Sequence, residues 1–159
     1  MSVSIEQQLY QGLIGNAAFV ALVGTAGSVP AFYDKQLPQS IFTTLASPTP
    51  FVAGVYQRIA SPRLFFQGPG PLQATMGRAR FQLIFWSNAK NGTVILDQID
   101  KAVLAYFQTA DFVNPPGSPA TFVQASFIAY SSRTLIEPQA QPTLQKLEID
   151  TTFWFSDQP

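Results

Sequence analysis

The ten residues from Gly77 to Trp86 constrain the fold more than any other stretch of this chain. Arg78 and Arg80 alternate with Ala79 and Phe81, and after Gln82 the run turns wholly apolar through Leu83-Ile84-Phe85-Trp86. Strict alternation marks a strand with one wet face, whereas an unbroken apolar run marks a strand buried on both faces. The stretch therefore predicts one strand, half-wet at its start and doubly covered at its end, in a sheet whose far face is covered by something besides the chain's own core.

A second run, Leu144 to Phe155, has the same character. Leu147, Ile149, Thr151, Phe153 and Phe155 share one face, and Lys146, Glu148, Asp150, Thr152 and Trp154 share the other. If the two strands are neighbours, Arg78 and Arg80 can lie across from Glu148 and Asp150, and opposite-charge pairs across a sheet contribute roughly 0.2–1 kcal/mol each. The same charges could instead meet across a subunit boundary, and both arrangements stay open. Trp154, on the charged face, is more easily explained by a partner than by water.

The remaining elements follow from caps and breakers. Ser4-Ile5-Glu6-Gln7 fits a capping box, and Ile5, Leu9 and Leu13 recur at helical spacing behind it. Asn16 can cap a short second turn that closes at Gly24. Val29 to Tyr33 reads as a short strand, at an edge because Pro30 has no N–H to donate. Gln36 to Pro50 reads as a loop or arm in which Ile41 and Phe42 are unusual, since an apolar loop of this length more often docks than waves in solvent. Phe51 to Ile59 and Gln73 to Trp86 form a long hairpin with its tip at Gly68-Pro69-Gly70-Pro71. Just before the tip, Leu64-Phe65-Phe66 reads either as an apolar plug for a neighbouring subunit or as a cluster folded onto its own hairpin.

Asn88 or Asn91 can cap the main helix, whose apolar face is Ile95, Ile99, Ala102, Val103 and Tyr106. Asn114-Pro115-Pro116-Gly117 ends the helical region, and Thr121 to Tyr130 is a further strand. Ser131 to Thr143 connects that strand to the last one. The sum is one domain over residues 1–159, with a mostly antiparallel sheet of about four to five strands. A long hairpin, an N-terminal helix and one longer central helix complete it.

Composition narrows the function. Nine Lys+Arg balance nine Asp+Glu, so no net field draws the chain to nucleic acid or anionic lipid. Charged residues make up 11% and aromatics 13%, with fourteen Phe. A chain so weakly charged must expose apolar surface, and buried interfaces between subunits would resolve that. With no Cys and no His, thiolate zinc sites, Cys nucleophiles and imidazole mechanisms are excluded. No signal peptide or membrane-spanning run is legible, so a cytoplasmic origin is expected. Asp97 and Asp100 sit on neighbouring helical turns, as a metal pair or an acid/base pair requires, but Lys101 beside them favours a solvated face. Arg58, Arg63, Arg78 and Arg80 flank aromatic residues as a single-strand stacking surface would, against which the balanced charge argues.

In order and spacing these elements resemble the tail-completion, or tail-terminator, proteins of long-tailed bacteriophages. The resemblance runs from Gln8-Leu9-Tyr10 and Val20-Ala21-Leu22-Val23-Gly24 through Pro50-Phe51-Val52 to Tyr56-Gln57-Arg58. It continues in Arg78 to Leu83, Trp86, Ile136-Glu137-Pro138 and Asp150 to Phe155, and departs from the family at Gln36 to Pro50, an apparent insertion. It implies an α+β fold related to tail-tube subunits and a non-enzymatic virion protein with no cofactor and no metal. Such proteins form a hexameric ring at the head-proximal end of the tail tube, stop its polymerisation and meet the head connector. DNA passes through the ring without specific binding. The runner-up readings are a head-closure or tail-tube subunit and, in a different class, a small nucleic-acid-binding domain. On the assembly reading the interface residues are Leu64, Phe65, Phe66, Arg78, Arg80, Glu148, Asp150, Trp154, Ile41 and Phe42.

Overall fold

Ser4 starts the first helix, α1 (Ile5–Ile14), its hydroxyl accepting from the Gln7 N–H at 3.2 Å. Asn16 does the same for α2 (Ala17–Val20), accepting from the Phe19 N–H at 3.0 Å. Each side chain satisfies an N–H that the first helical turn leaves without a partner. These contacts belong to a computed structural model that describes residues 4–60, 63–65, 75–109, 124–137 and 143–156. Gly68 to Pro71 and Asn114 to Gly117 lie outside the described residues.

The strand expected from Val29 to Tyr33 divides at Ala31. β1 (Thr25–Ala26) and β2 (Val29–Pro30) close a small hairpin turned at Gly27, which adopts a positive φ of 68°. Pro30 thus stays out of the main ladder, and β3 (Phe32–Asp34) joins the large sheet at its edge, parallel to β4 (Val52–Ala60). β5 (Arg63–Phe65), β6 (Thr75–Ser87), α4 (Gly92–Phe107), β7 (Gln124–Glu137) and β8 (Leu144–Ser156) complete the described chain. The large sheet runs β3-β4-β6-β8-β7, with β5 paired to β6, and every pair except β3–β4 is antiparallel. The fold is α+β.

One face of this sheet, the inner face, carries the main core. Phe81, Leu83 and Phe85 of β6 and Phe153 of β8 are fully buried. Phe32 stacks on Phe85 with ring centroids 5.7 Å apart, Phe19 meets Phe32 edge-on at 5.4 Å, and Phe107 of α4 meets Phe153 edge-on at 5.1 Å. α4 buries Leu96, Ile99, Val103, Tyr106 and Phe107, while Ile95 and Ala102 are only half-buried. The expected face is therefore rotated. Val94-Ile95-Leu96 gives the helix an apolar arc wider than the sheet can cover, and Val94 is left exposed.

The outer face is identified by register. Strand neighbours directly opposite share a face, so Ala53, Val55 and Gln57 lie with Trp86, Ile84 and Gln82, opposite the main core. The Gln57 Nε2 donating to Gln82 Oε1 at 2.8 Å fits this placement. Ala53 and Val55 are nonetheless buried. The segment expected to be a loop holds a helix: α3 (Gln39–Leu45) is the crossover between the parallel neighbours β3 and β4, with Ile41 and Leu45 buried. A parallel pair needs such a crossover, and the crossover packs on one face of the sheet. Burying each of these side chains contributes roughly 1.5–3 kcal/mol.

One expectation is corrected here. Residues 36–50 are built around a helix. Ile41, expected at an interface, is buried in the chain's own core. The prolines and Ser/Thr around α3 hid it, because Pro38 stands at its N-cap and only seven residues are helical.

Asn88 does not cap α4; Asn91 holds that place, without a side-chain bond. Instead Asn88 accepts from the Phe51 N–H at 2.6 Å and directs its Nδ2 at the carbonyls of Leu45, Ser47 and Thr49, at 3.1, 3.0 and 2.9 Å. One side chain thus holds the whole return from α3 to β4. The connection expected over Ser131 to Thr143 is corrected as well, since Ser131 to Glu137 continue β7 in register with β8. A run of Ser, Arg and Thr hides a strand whose support is its neighbour's backbone.

Candidate interaction face

From the Arg133–Glu148 rung to the Arg78–Trp154 rung, the outer face of β6, β8 and β7 is open. Ala129, Ser131, Arg133 and Leu135 are exposed along β7, as are Arg78 and Arg80 on β6. The register does not set both arginines against both acids. Arg78 lies opposite Trp154, Arg80 opposite Thr152, Gln82 opposite Asp150 and Ile84 opposite Glu148. Arg80 reaches diagonally by two residues and grips Asp150 with two parallel bonds, Nε to Oδ1 at 3.0 Å and Nη2 to Oδ2 at 3.1 Å. This two-pronged geometry suits a planar guanidinium and raises its already high pKa.

Glu148 answers to different partners. Arg133, directly opposite on β7, donates through Nε at 2.6 Å and also through Nη2, and Lys146 donates to the other carboxylate oxygen at 2.7 Å. The Lys146 bond is the main cause holding the Glu148 carboxyl below its ordinary pKa, against an opposing push from burial. Both acids of the expected interface are therefore occupied within the chain. Arg78 is different: among the described residues no carboxylate lies within ion-pair distance of it. Arg133 is not legible from sequence as part of this face, because it falls in the stretch read as a connection.

Where β7 bulges between Phe127 and Ala129, the face sinks into a shallow open depression of about 300 Å³. Arg78, Arg80, Asp150, Thr152 and Ser131 line it. Trp154, opposite Arg78, is half-buried at the same end.

The other expected interface residues are scattered. Phe42 is 51% exposed on α3 while Ile41, beside it, is 3% exposed. Leu64 and Phe65 belong to β5, which extends the hairpin through its pairing with β6. Phe66 lies outside the described residues. The structure thus brings Arg78, Arg80, Glu148, Asp150 and Trp154 onto one face and leaves Phe42 apart from them.

On the inner side, Asp97 pairs with Lys101 at 2.7 Å, as its i,i+4 spacing requires. Asp100 departs from the solvated face expected for it. It receives the hydroxyl of Tyr130 and, at 2.7 Å, that of Ser132. Among the described residues no group of three or more acids is placed to hold a metal ion. No described helix is long and apolar enough to cross a membrane. Comparison with protein-family models and with curated proteins finds no match for the sequence.

Proposed function

We propose that this chain is a non-enzymatic virion subunit, a tail terminator that forms a hexameric ring at the head-proximal end of a phage tail tube. The observation that carries the reading is the open outer face of β6, β8 and β7, bordered by β7 as an edge strand. Leu135 is 40% exposed and Ile136 62% exposed near the end of that strand. Long edges with exposed apolar residues are normally blunted in monomers, because they invite pairing with another chain. Here they suit repeated contact between copies. The order of elements, similar to that of tail terminators, supplies the particular assembly.

The mechanism is steric. One side of the ring binds the last layer of the major tail tube protein, and the other lacks the tube's stacking contacts, so growth stops. That second side meets the head-completion or connector protein, and DNA passes through the lumen without specific binding. The subunit is made in the host cytoplasm and ends in the virion.

Native mass spectrometry of the purified chain, alone and mixed with tail-tube protein, tests the reading. A closed ring that attaches to tube ends is the expected result. Monomers that ignore tubes would overturn it. Copolymerisation along the tube length would favour a tube subunit instead, and steeply salt-dependent binding of DNA by the assembled particle would favour a nucleic-acid-binding role.

A further inference from the structure

The register joins the two borders of the large sheet in a single rung. Tyr33 of β3 lies opposite Val55, Val55 opposite Ile84, Ile84 opposite Glu148, and Glu148 opposite Arg133 of β7. Tyr33 and Arg133 are therefore level with each other at opposite edges, and both stand on the outer face. A neighbouring rung runs through Tyr56, Leu83 and Ile149 and ends in Asp34 on one side and Ser132 on the other.

Both edges are open. Among the described residues no strand pairs with the free side of β3 or of β7. Along β7, Ser131 to Ile136 are exposed on both faces of the sheet. That stretch has no proline and no bulge, and its only charge, Arg133, is held by Glu148. The usual guards of an edge strand are missing there.

Strand direction decides what fits the edge. β8 is antiparallel to β6 and to β7, β6 is antiparallel to β4, and β3 is parallel to β4. β3 and β7 thus run in opposite directions. A second copy set beside the first in the same orientation brings its β3 antiparallel to β7, which continues the alternation and is the stronger kind of pairing. Two β7 edges can pair antiparallel only if one copy is turned end for end. That contact closes as a dimer and leaves both β3 edges unused, whereas unlike edges joined head to tail close into a ring.

We propose that β7 of one subunit adds to β3 of the next as an antiparallel strand, setting Arg133 of one copy against Tyr33 of its neighbour. The inference rests on the ring-subunit reading and names the two edges that would close the ring. Slipping the pair by one residue would set outer-face residues against inner-face ones. Tyr33 can therefore face Ser131, Arg133 or Leu135, and level subunits select Arg133. Arg133 keeps its bond to Glu148, yet its side chain is 68% exposed, so the flat face of the guanidinium can stack on the phenol ring.

The chain has no cysteine, so introduced pairs report the contact without background. In Tyr33→Cys/Arg133→Cys, and separately in Asp34→Cys/Ser132→Cys, a short thiol-specific crosslinker should join subunits into a ladder that extends to the full ring. Denaturing gels read the ladder, and thermal unfolding checks that each variant folds. Cβ atoms directly opposite on paired strands lie about 4.5–5.5 Å apart and diagonal neighbours about 7–8 Å, so a slip of two residues stays within reach. Arg133→Cys alone should remain unlinked; linked dimers from it would show β7 meeting β7 and overturn the proposal. Subunits that assemble by native mass spectrometry, yet are linked by neither pair, overturn it too and leave the ring reading standing. A wild-type chain that stays monomeric overturns both.

Discussion

The Tyr130 hydroxyl directs its proton at the Asp100 carboxylate and lies 3.1 Å from the Asp100 carbonyl, tying the middle of α4 to the edge strand β7. Burial, followed by the bond to Asp100, pushes the Tyr130 pKa far above that of a free phenol. The hydroxyl therefore stays protonated and donating. Tyr130→Phe should cost about 1.5–3 kcal/mol, the net value of a hydrogen bond to a charged group with little change in packing. Urea unfolding should show a lower midpoint at unchanged slope.

Asn88 carries more than its share of the backbone around Thr49. Replacing it with Ala leaves the Phe51 N–H and three carbonyls without their partner. Asn88→Ala should lower stability by about 2 kcal/mol. Hydrogen exchange should quicken at Phe51, whose amide is donated to the Asn88 side chain.

Gly54 lies where β4 passes under the Phe32–Phe85 stack. A Cβ there would sit 2.4 Å from a Phe85 ring carbon and 3.2 Å from one of Phe32. Both rings are fully buried and cannot yield freely. Gly54→Ala should destabilise by about 1–3 kcal/mol through overpacking. Adding Phe85→Leu should recover part of that loss, because the smaller side chain makes room for the methyl group.

Glu148 sets a pH dependence. Its folded pKa is depressed, so the stability it contributes is present above the unfolded value and is lost as pH falls through the folded one. Wild type should therefore lose stability on acidification below the usual carboxylate range. Glu148→Gln should be less stable near neutrality and flatter along that acid limb. Denaturant midpoints measured across the acid range would read both effects.

The two strands with clean alternation were legible, because a period of two with one apolar face admits few other folds. Ala79, Phe81, Leu83 and Phe85, and likewise Leu147, Ile149 and Phe153, face the core as their spacing requires. The caps at Ser4 and Asn16 were equally readable, being local chemistry. α3 was not, since its helical run is short and framed by prolines, and the crossover it makes depends on β3 and β4 being parallel. The site was half legible. The sequence placed the charged residues on one face, but the partner each one takes depends on register, which sets Glu148 against Arg133 and leaves Arg78 aside. Tyr130 and Asp100 are thirty residues apart, and no local pattern joins them.

Because β8 lies between β6 and β7, the last of the described strands to be synthesised is the one both neighbours require. Until it arrives, β7 has no described strand to pair with, and the side of β6 opposite β4 and β5 is bare. A nascent chain would therefore present two unsealed strand borders at once, and premature association between copies would be the hazard. Slowing translation just before Leu144 should raise the yield of insoluble product, whereas a pause after Ser156 has emerged should be harmless.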